Sequence, residues 1–254
     1  MFDTEGEGEA VILVKATPHI SQKYGETVCC AGITPNAEWL RLYPVTFRRL
    51  EDAKKFRRWD HIRFRWKKPK DDFRPESRRV DQNSIEIIGR LPKNEKERLL
   101  AKLEVTGLNA VSAQGKTFAL LRPKNPCLTI ARKSPSELAQ ERSGYELICT
   151  QQDMFYQKEL LPLEPCPFRF KYRYQTDDGD REGTCQDWET DATFFHWRER
   201  YGEAQAIQHM QKVFGTEYPE KGMLFAMGTH SLHPNTWLIN GIIRMDEIAQ
   251  IPLI

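Results

Sequence analysis

No apolar run in this sequence approaches the roughly 18 residues that cross a bilayer, so no membrane span is expected. The opening MFDTEGEGEA is acidic and lacks the basic and apolar regions of a signal peptide. The expected location is therefore the cytoplasm. None of the six cysteines (Cys29, Cys30, Cys127, Cys149, Cys166, Cys185) forms a CxxC pair, which argues against a zinc ribbon or thioredoxin-type motif. In a reducing compartment they read as small, largely buried hydrophobic residues. A GxSxG nucleophile elbow is missing, as are the phosphate-cradling patterns GxxxxGK[ST] and GxGxxG. Chemistry driven by ATP or NAD is not expected, nor is any cofactor. No internal repeat is visible.

What the chain does have is segregated charge. Between Arg41 and Asp81 there are 15 Lys and Arg against 7 Asp and Glu, a net of +8. The whole protein carries +2, so the other 213 of its 254 residues sum to −6, with an acidic lead-in at Asp3, Glu5, Glu7 and Glu9. Aromatic residues are threaded through the basic section: Tyr43, Phe47, Phe56, Trp59, Phe64, Trp66 and Phe73. Positive charge attracts phosphate whatever the sequence, and flat side chains stack on bases.

Hydrophobic periodicity predicts strands over Glu9–Ala16, Thr27–Ile33, Glu38–Val45, His61–Lys68 and Ser84–Leu91, with a charged connection Thr46–Asp60 holding a helical turn or two. In HIRFRWKK, Ile62, Phe64 and Trp66 point one way while Arg63, Arg65 and Lys67 point the other. A helix is predicted over Lys96–Glu104 behind Asn94 as N-cap, then a strand at Thr117–Leu121. The proline-bearing RPKNP (122–126) marks a boundary, although the strand before it could complete a first barrel. Beyond it, Ser134-Pro135 starts a helix, and Phe168–Tyr174 (FRFKYRY) is a second alternating strand. A turn-rich loop at 176–183, a return strand Thr184–Glu189, helix from Asp191 to Phe214 broken near Gly202, and strands Met223–Gly228 and Trp237–Ile243 follow. The expected class is mostly β with helices (α+β), built as two small OB-like barrel units, residues 1–125 and 126–254.

The basic strands are the candidate nucleic-acid surface. Arg48, Arg49, Lys54, Lys55, Arg57, Arg58, Arg63, Arg65, Lys67 and Lys68 would neutralise phosphates, and Arg169, Lys171 and Arg173 would extend the track. Trp59 and Trp66 are the candidate stacking platforms, Trp66 with a competing claim as core. An ordinary strand with aromatics inward and bases solvated explains the same alternation. A rival reading takes Asp187, Glu189 and Asp191 as Mg²⁺ ligands of a nuclease, although Asp191 also suits a helix N-terminus and no ExK or DxK pattern follows convincingly. His230 and His233 sit in a loop without nearby Cys or His, so no metal site is expected there. A third reading is an adaptor in a multi-subunit complex, the basic stretch meeting an acidic partner.

The series ILVKA…SQKYGETVCCAGI…EWLRLYPVTFRRL, then DDFRPESRR, FRFKYRY, DWE, MLFAMGTH and HPNTWLINGII, resembles a group of uncharacterised bacterial proteins over most of the chain. The arrangement of a strand, CCAGI and WLRLYPV is similar to the dual OB domain family. That resemblance implies paired OB-type barrels, nucleic-acid binding and a place in prokaryotic defence loci. Some relatives carry Cys and His in the loop matching TDDGDREG; this chain has neither there, so the resemblance implies no metal. The expectation is a non-catalytic protein binding single-stranded or distorted DNA or RNA.

Overall fold

The computed structural model describes residues 4–21, 24–152, 161–230 and 233–245. Its first part is a ring of strands: β1 (Glu5–Lys15), β3 (Gly25–Ile33), β4 (Trp39–Val45), β5 (Asp60–Lys67) and β6 (Ser77–Arg90), with short β2 (His19–Ser21) on the edge of β3. Pairing runs β1–β5–β6–β4–β3 and closes through β1–β3. Every barrel pairing is antiparallel except β4–β6. This is the closed five-stranded path of an OB-like Greek-key barrel. Ala10, Ile12, Val28, Cys30, Leu42, Ile62, Phe64 and Val80 fill it. The connection 46–59 makes two 3-10 turns, Phe47–Arg49 and Asp52–Lys54, and Leu50 and Phe56 join the barrel core.

The rest of the chain is α1 (Lys93–Leu103), β7 (Glu104–Val105), α2 (Asn109–Ala113), β8 (Phe118–Leu121), β9 (Lys124–Arg132), α3 (Pro135–Gln152), β10 (Phe168–Thr176), β11 (Gly179–Thr184), α4 (Trp188–Tyr201), α5 (Glu203–Lys212), a π turn (Val213–Glu217), α6 (Tyr218–Lys221), β12 (Met223–Thr229) and β13 (Trp237–Arg244). Its strands form a three-stranded sheet, β11–β10–β9, and a four-stranded sheet, β13–β12–β8–β7. Between them lies a core of Phe170, Tyr172, Phe194, Met210, Phe225 and Met227. The mixed α+β class with an OB-like barrel is as expected. Among the described residues no helix is long and apolar enough to cross a membrane.

The sequence boundaries shift in particular places. β8 pairs with β12 rather than with any barrel strand, so the unit break expected at 125 lies before Phe118. RPKNP does not separate domains; β9 begins inside it at Lys124. The expected loop 176–183 is mostly strand β11, and α4 begins at Trp188 with Asp187 as N-cap, its carboxylate accepting from the Glu189 backbone N–H.

A second apolar layer fastens the barrel to the rest. Val11, Leu13, Val14, Ala31 and Ile33, on the outside of β1 and β3, pack with Trp59, Phe118, Leu120, Leu224, Ala226 and Ile243. Both faces of β1 and β3 are thus buried, which is why VILV and TVCCAGI are continuous apolar runs rather than alternating ones. Gly32 allows the closest approach: a Cβ there would sit 2.8 Å from the Val11 carbonyl oxygen.

Candidate nucleic-acid interface

The strands place charge differently from the sequence. β1 lies antiparallel to β5 in a register that sets Glu9 opposite Arg63, Glu7 opposite Arg65 and Glu5 opposite Lys67. Cross-strand neighbours of opposite charge pair directly. Arg63 bonds Glu9 at 2.8 Å, Lys67 meets Glu5 at 2.9 Å, and Arg65 takes Asp81 of β6 at 2.8 Å. The acidic lead-in, distant in sequence from β5, meets Arg63 and Lys67 in space.

Most of the other predicted cations fare similarly. Arg48 bonds Glu26 at 2.7 Å, and Arg49 adds its field to the same carboxylate. Lys54 pairs with Glu51 (3.2 Å) and Lys55 with Asp52 (2.7 Å). Arg169 bonds Glu137 and Lys171 bonds Glu182, at 2.8 and 2.9 Å. Arg57, Lys68 and Arg173 are exposed. Arg58 and Trp59 do not lie on this surface. Arg58 is buried in an ion pair with Asp187 at 3.0 Å, and Trp59 is only 3% exposed in the seam between barrel and second half. Neither can touch a strand of nucleic acid. Trp66 is half-buried beneath the Arg78 guanidinium, 4.4 Å from its ring centre.

The carboxylates proposed for a metal are committed elsewhere. Asp187 accepts from Arg58, from the Ile242 N–H at 2.8 Å and from the Glu189 N–H. Glu189 lies 3.1 Å from Arg58, and Asp191 accepts from the Thr17 hydroxyl at 2.8 Å. Among the described residues no three His, Cys, Asp or Glu side chains are grouped to hold a metal ion. The rings of His230 and His233 stack with centroids 5.0 Å apart.

Burial pushes the Asp191 carboxyl up to about 6 from an ordinary 3.8, against the pull of Thr17 and Lys133. The folded protein therefore binds this proton more readily than the unfolded chain. The stability it contributes is complete below about pH 4 and is lost as pH rises through about 6. Asp191→Asn is expected to flatten that dependence and to gain about 1 kcal/mol on wild type at neutral pH. Urea titrations from about pH 4 to 7.5 test it; parallel curves for the two proteins would refute it.

One open concavity, of about 880 Å³, lies over β5 and β6 at Arg65, Trp66, Lys67 and Arg79, and a larger one lies elsewhere. A groove of about 1220 Å³ runs between the start of β4, the beginning of β6, the end of α1, α2 and the turn at Asp177–Asp178. Its carboxylates are largely engaged: Glu76 accepts from the Thr117 N–H and hydroxyl, Glu104 bonds Arg122, Asp177 bonds Lys124, and Asp178 caps α2 through the Leu108 and Asn109 N–H groups. Its cations are Arg78, Lys102 and Lys116. Among the described residues none of the three has a carboxylate at ion-pair distance; Arg78 donates to the Pro75 and Ser77 carbonyls. Glu38, exposed on the rim, adds its field to Arg78. Trp39 is half-buried on the wall, stacked on Phe118 at 5.1 Å.

Beside the groove, the connection between β5 and β6 carries Phe73 at 89% exposure. In an OB barrel this is the loop between the fourth and fifth strands, one of those that contact oligonucleotides. The outer face of β3 and β4, the other usual contact surface, is largely covered here by Phe118 and its neighbours. Phe73, Arg78, Lys102 and Lys116 were not among the residues selected from sequence. Only Phe73 gave a signal, as a lone aromatic among charges in DDFRPE.

Two family models match the chain and meet at Leu103, the last residue of α1. Residues 7–103 match one described as Domain of unknown function (DUF8758), and residues 103–252 one described as Domain of unknown function (DUF8757). No curated protein matches.

Proposed function

For a chain that belongs, over residues 103–252, to the family described as Domain of unknown function (DUF8757), we propose binding of single-stranded nucleic acid in the groove beside the barrel. The observation that carries this reading is the charge state of the groove. Arg78, Lys102 and Lys116 lack carboxylate partners among the described residues, whereas the basic strand β5 is neutralised by β1 and β6. Cations without a carboxylate partner, beside an exposed aromatic, suit a phosphate backbone with stacked bases. A single strand leaves its bases free to stack on an exposed ring such as Phe73, so a single strand is favoured. Strand β4 and the loop carrying Phe73 flank the crevice, in keeping with the way OB barrels take oligonucleotides.

The test is fluorescence anisotropy with labelled single- and double-stranded DNA and RNA across a salt series. Lys102→Glu/Lys116→Glu is expected to weaken single-strand binding and to lower the salt slope by about 1.4, from about 0.7 per phosphate contact. Phe73→Ala should cost about 1–3 kcal/mol if a base stacks on the ring. Arg63→Gln/Lys67→Gln, on the neutralised face, should leave affinity nearly unchanged. Binding that follows Arg63 and Lys67 instead would relocate the interface, and no salt-sensitive binding would end the reading.

A further inference from the structure

Phe73 stands in solvent, yet the residues on either side of it are tied down. Between Lys67 and Ser77 the chain forms no helix or strand, and such connections are ordinarily the softest part of a fold. Here Asp72 and Arg74 are half-buried and grip each other beneath the exposed ring. The Asp72 carboxylate accepts two parallel bonds from the Arg74 guanidinium, at 2.8 and 2.6 Å, the bidentate fork that fixes geometry as well as charge. It also accepts from the Arg74 backbone N–H at 3.2 Å and from the Ser77 hydroxyl at 2.7 Å. The Arg74 carbonyl accepts from the Ser77 N–H at 3.1 Å, so the loop is tied to the start of β6. Burial acts to raise the Asp72 carboxyl, but its bonds from Arg74 and Ser77 prevail and hold it at about 2.

The clamp also reaches beyond the barrel. The remaining arm of Arg74 donates to the Thr229 carbonyl on β12 at 3.1 Å. Two residues on, Glu76 accepts from the Thr117 N–H and hydroxyl at 2.8 and 3.0 Å. Phe73 lies before the junction of the two matched regions at Leu103, and Thr117 and Thr229 lie after it. The second region therefore fixes the loop that the first presents. A bare aromatic ring does nothing for the fold, whereas a ring held in place gives up little freedom when a ligand covers it.

We infer that Asp72 and Arg74 are positioning residues for strand binding, holding the loop so that the Phe73 ring is set for a base beside the groove. This rests on the strand-binding reading. Neither side chain touches the strand; both act through Phe73. The bonds to Thr229 and Thr117 make binding a joint property of the two regions.

The probe is a labelled single-stranded oligonucleotide, followed by fluorescence anisotropy across a salt series with the full chain. Asp72→Ala and Arg74→Gln each open the clamp and should weaken binding about fivefold, the equivalent of re-ordering about one loop residue. The direction of the Asp72→Ala effect is decisive, because deleting a carboxylate near a phosphate backbone would by charge alone tighten binding. The salt slope should stay at its wild-type value in both variants, since no phosphate contact is lost. In a Phe73→Ala background the same substitutions should cost nothing further. Tighter binding by Asp72→Ala, a lower salt slope in Arg74→Gln, or losses that persist without the Phe73 ring would each overturn the positioning role. If either variant fails to fold, Asp72→Asn, which keeps the shape and loses the ion pair, replaces it. Undiminished affinity in the variants would end this role alone and leave strand binding standing. No binding by wild type would end the strand reading and this role with it.

Discussion

Arg58→Met is expected to destabilise the folded chain by about 3–5 kcal/mol, the range for removing one partner of a buried ion pair. Arg58 reaches from the connection before β5 into the second half. There it donates to the Ile242 carbonyl at 2.6 Å and to Asp187 at 3.0 Å, with Glu189 at 3.1 Å. Asp187 in turn accepts from the Ile242 N–H, so both groups fasten to β13. Without the guanidinium, Asp187 keeps its two backbone donors but becomes a buried charge without a counter-ion. Burial already pushes its carboxyl above the ordinary range, and Arg58 opposes that. Arg58→Met/Asp187→Asn removes both charges and retains a side-chain oxygen to cap α4. The double variant should recover most of the loss, because the cost lies in the stranded charge rather than in the pair. Urea denaturation followed by tryptophan fluorescence measures all of these. If the single and double variants fall together, the pair is not what holds this seam.

Arg58 also shows where sequence reading stops. In FRRWD it is indistinguishable from Arg57, yet Arg57 is exposed and Arg58 buried. Trp59 beside it has a φ of +74°, a backbone turn that sends the chain from the 3-10 connection into β5. Its N–H reaches the Ile12 carbonyl at 2.7 Å, and its ring enters the seam. Nothing in period-two or period-3.6 patterning encodes such a turn. Alternation, by contrast, was readable: Ile62 and Phe64 face into the barrel, and Arg63, Arg65 and Lys67 face out. What alternation could not supply was the neighbour strand. Net charge along a segment is a one-dimensional quantity, and pairing β1 with β5 sets Glu9 against Arg63 and Glu5 against Lys67. The groove was equally hidden, because Arg78, Lys102 and Lys116 converge from separate elements and only the fold reveals which cations remain unpaired.

The strand FRFKYRY, read as a second basic track, carries the other large expected effect through its aromatic side. Phe168, Phe170, Tyr172 and Tyr174 all point into the core of the second half. Tyr172 is fully buried, its ring centre 5.1 Å from that of Phe225 on β12. Its hydroxyl donates to the Phe214 carbonyl at 2.9 Å, inside the π turn that ends α5. One side chain therefore ties the three-stranded sheet, the four-stranded sheet and the helical layer together. Tyr172→Ala should cost about 3–5 kcal/mol, from lost burial and the cavity left between two sheets that cannot collapse onto each other. Tyr172→Phe keeps the ring and loses only the bond to Phe214, a loss of about 1 kcal/mol. Thermal unfolding of the two variants compares these directly. A Phe variant as unstable as the Ala variant would place the stabilisation in the hydroxyl and the π turn. An Ala variant near wild type would mean the sheets close over the gap, against the packing described. The strength of this core also bears on the groove, because β8 belongs to the four-stranded sheet and carries Phe118 to the wall shared with Trp39 and Arg41. Loosening Tyr172 should therefore weaken strand binding as well as the fold, whereas Phe73→Ala should weaken binding alone.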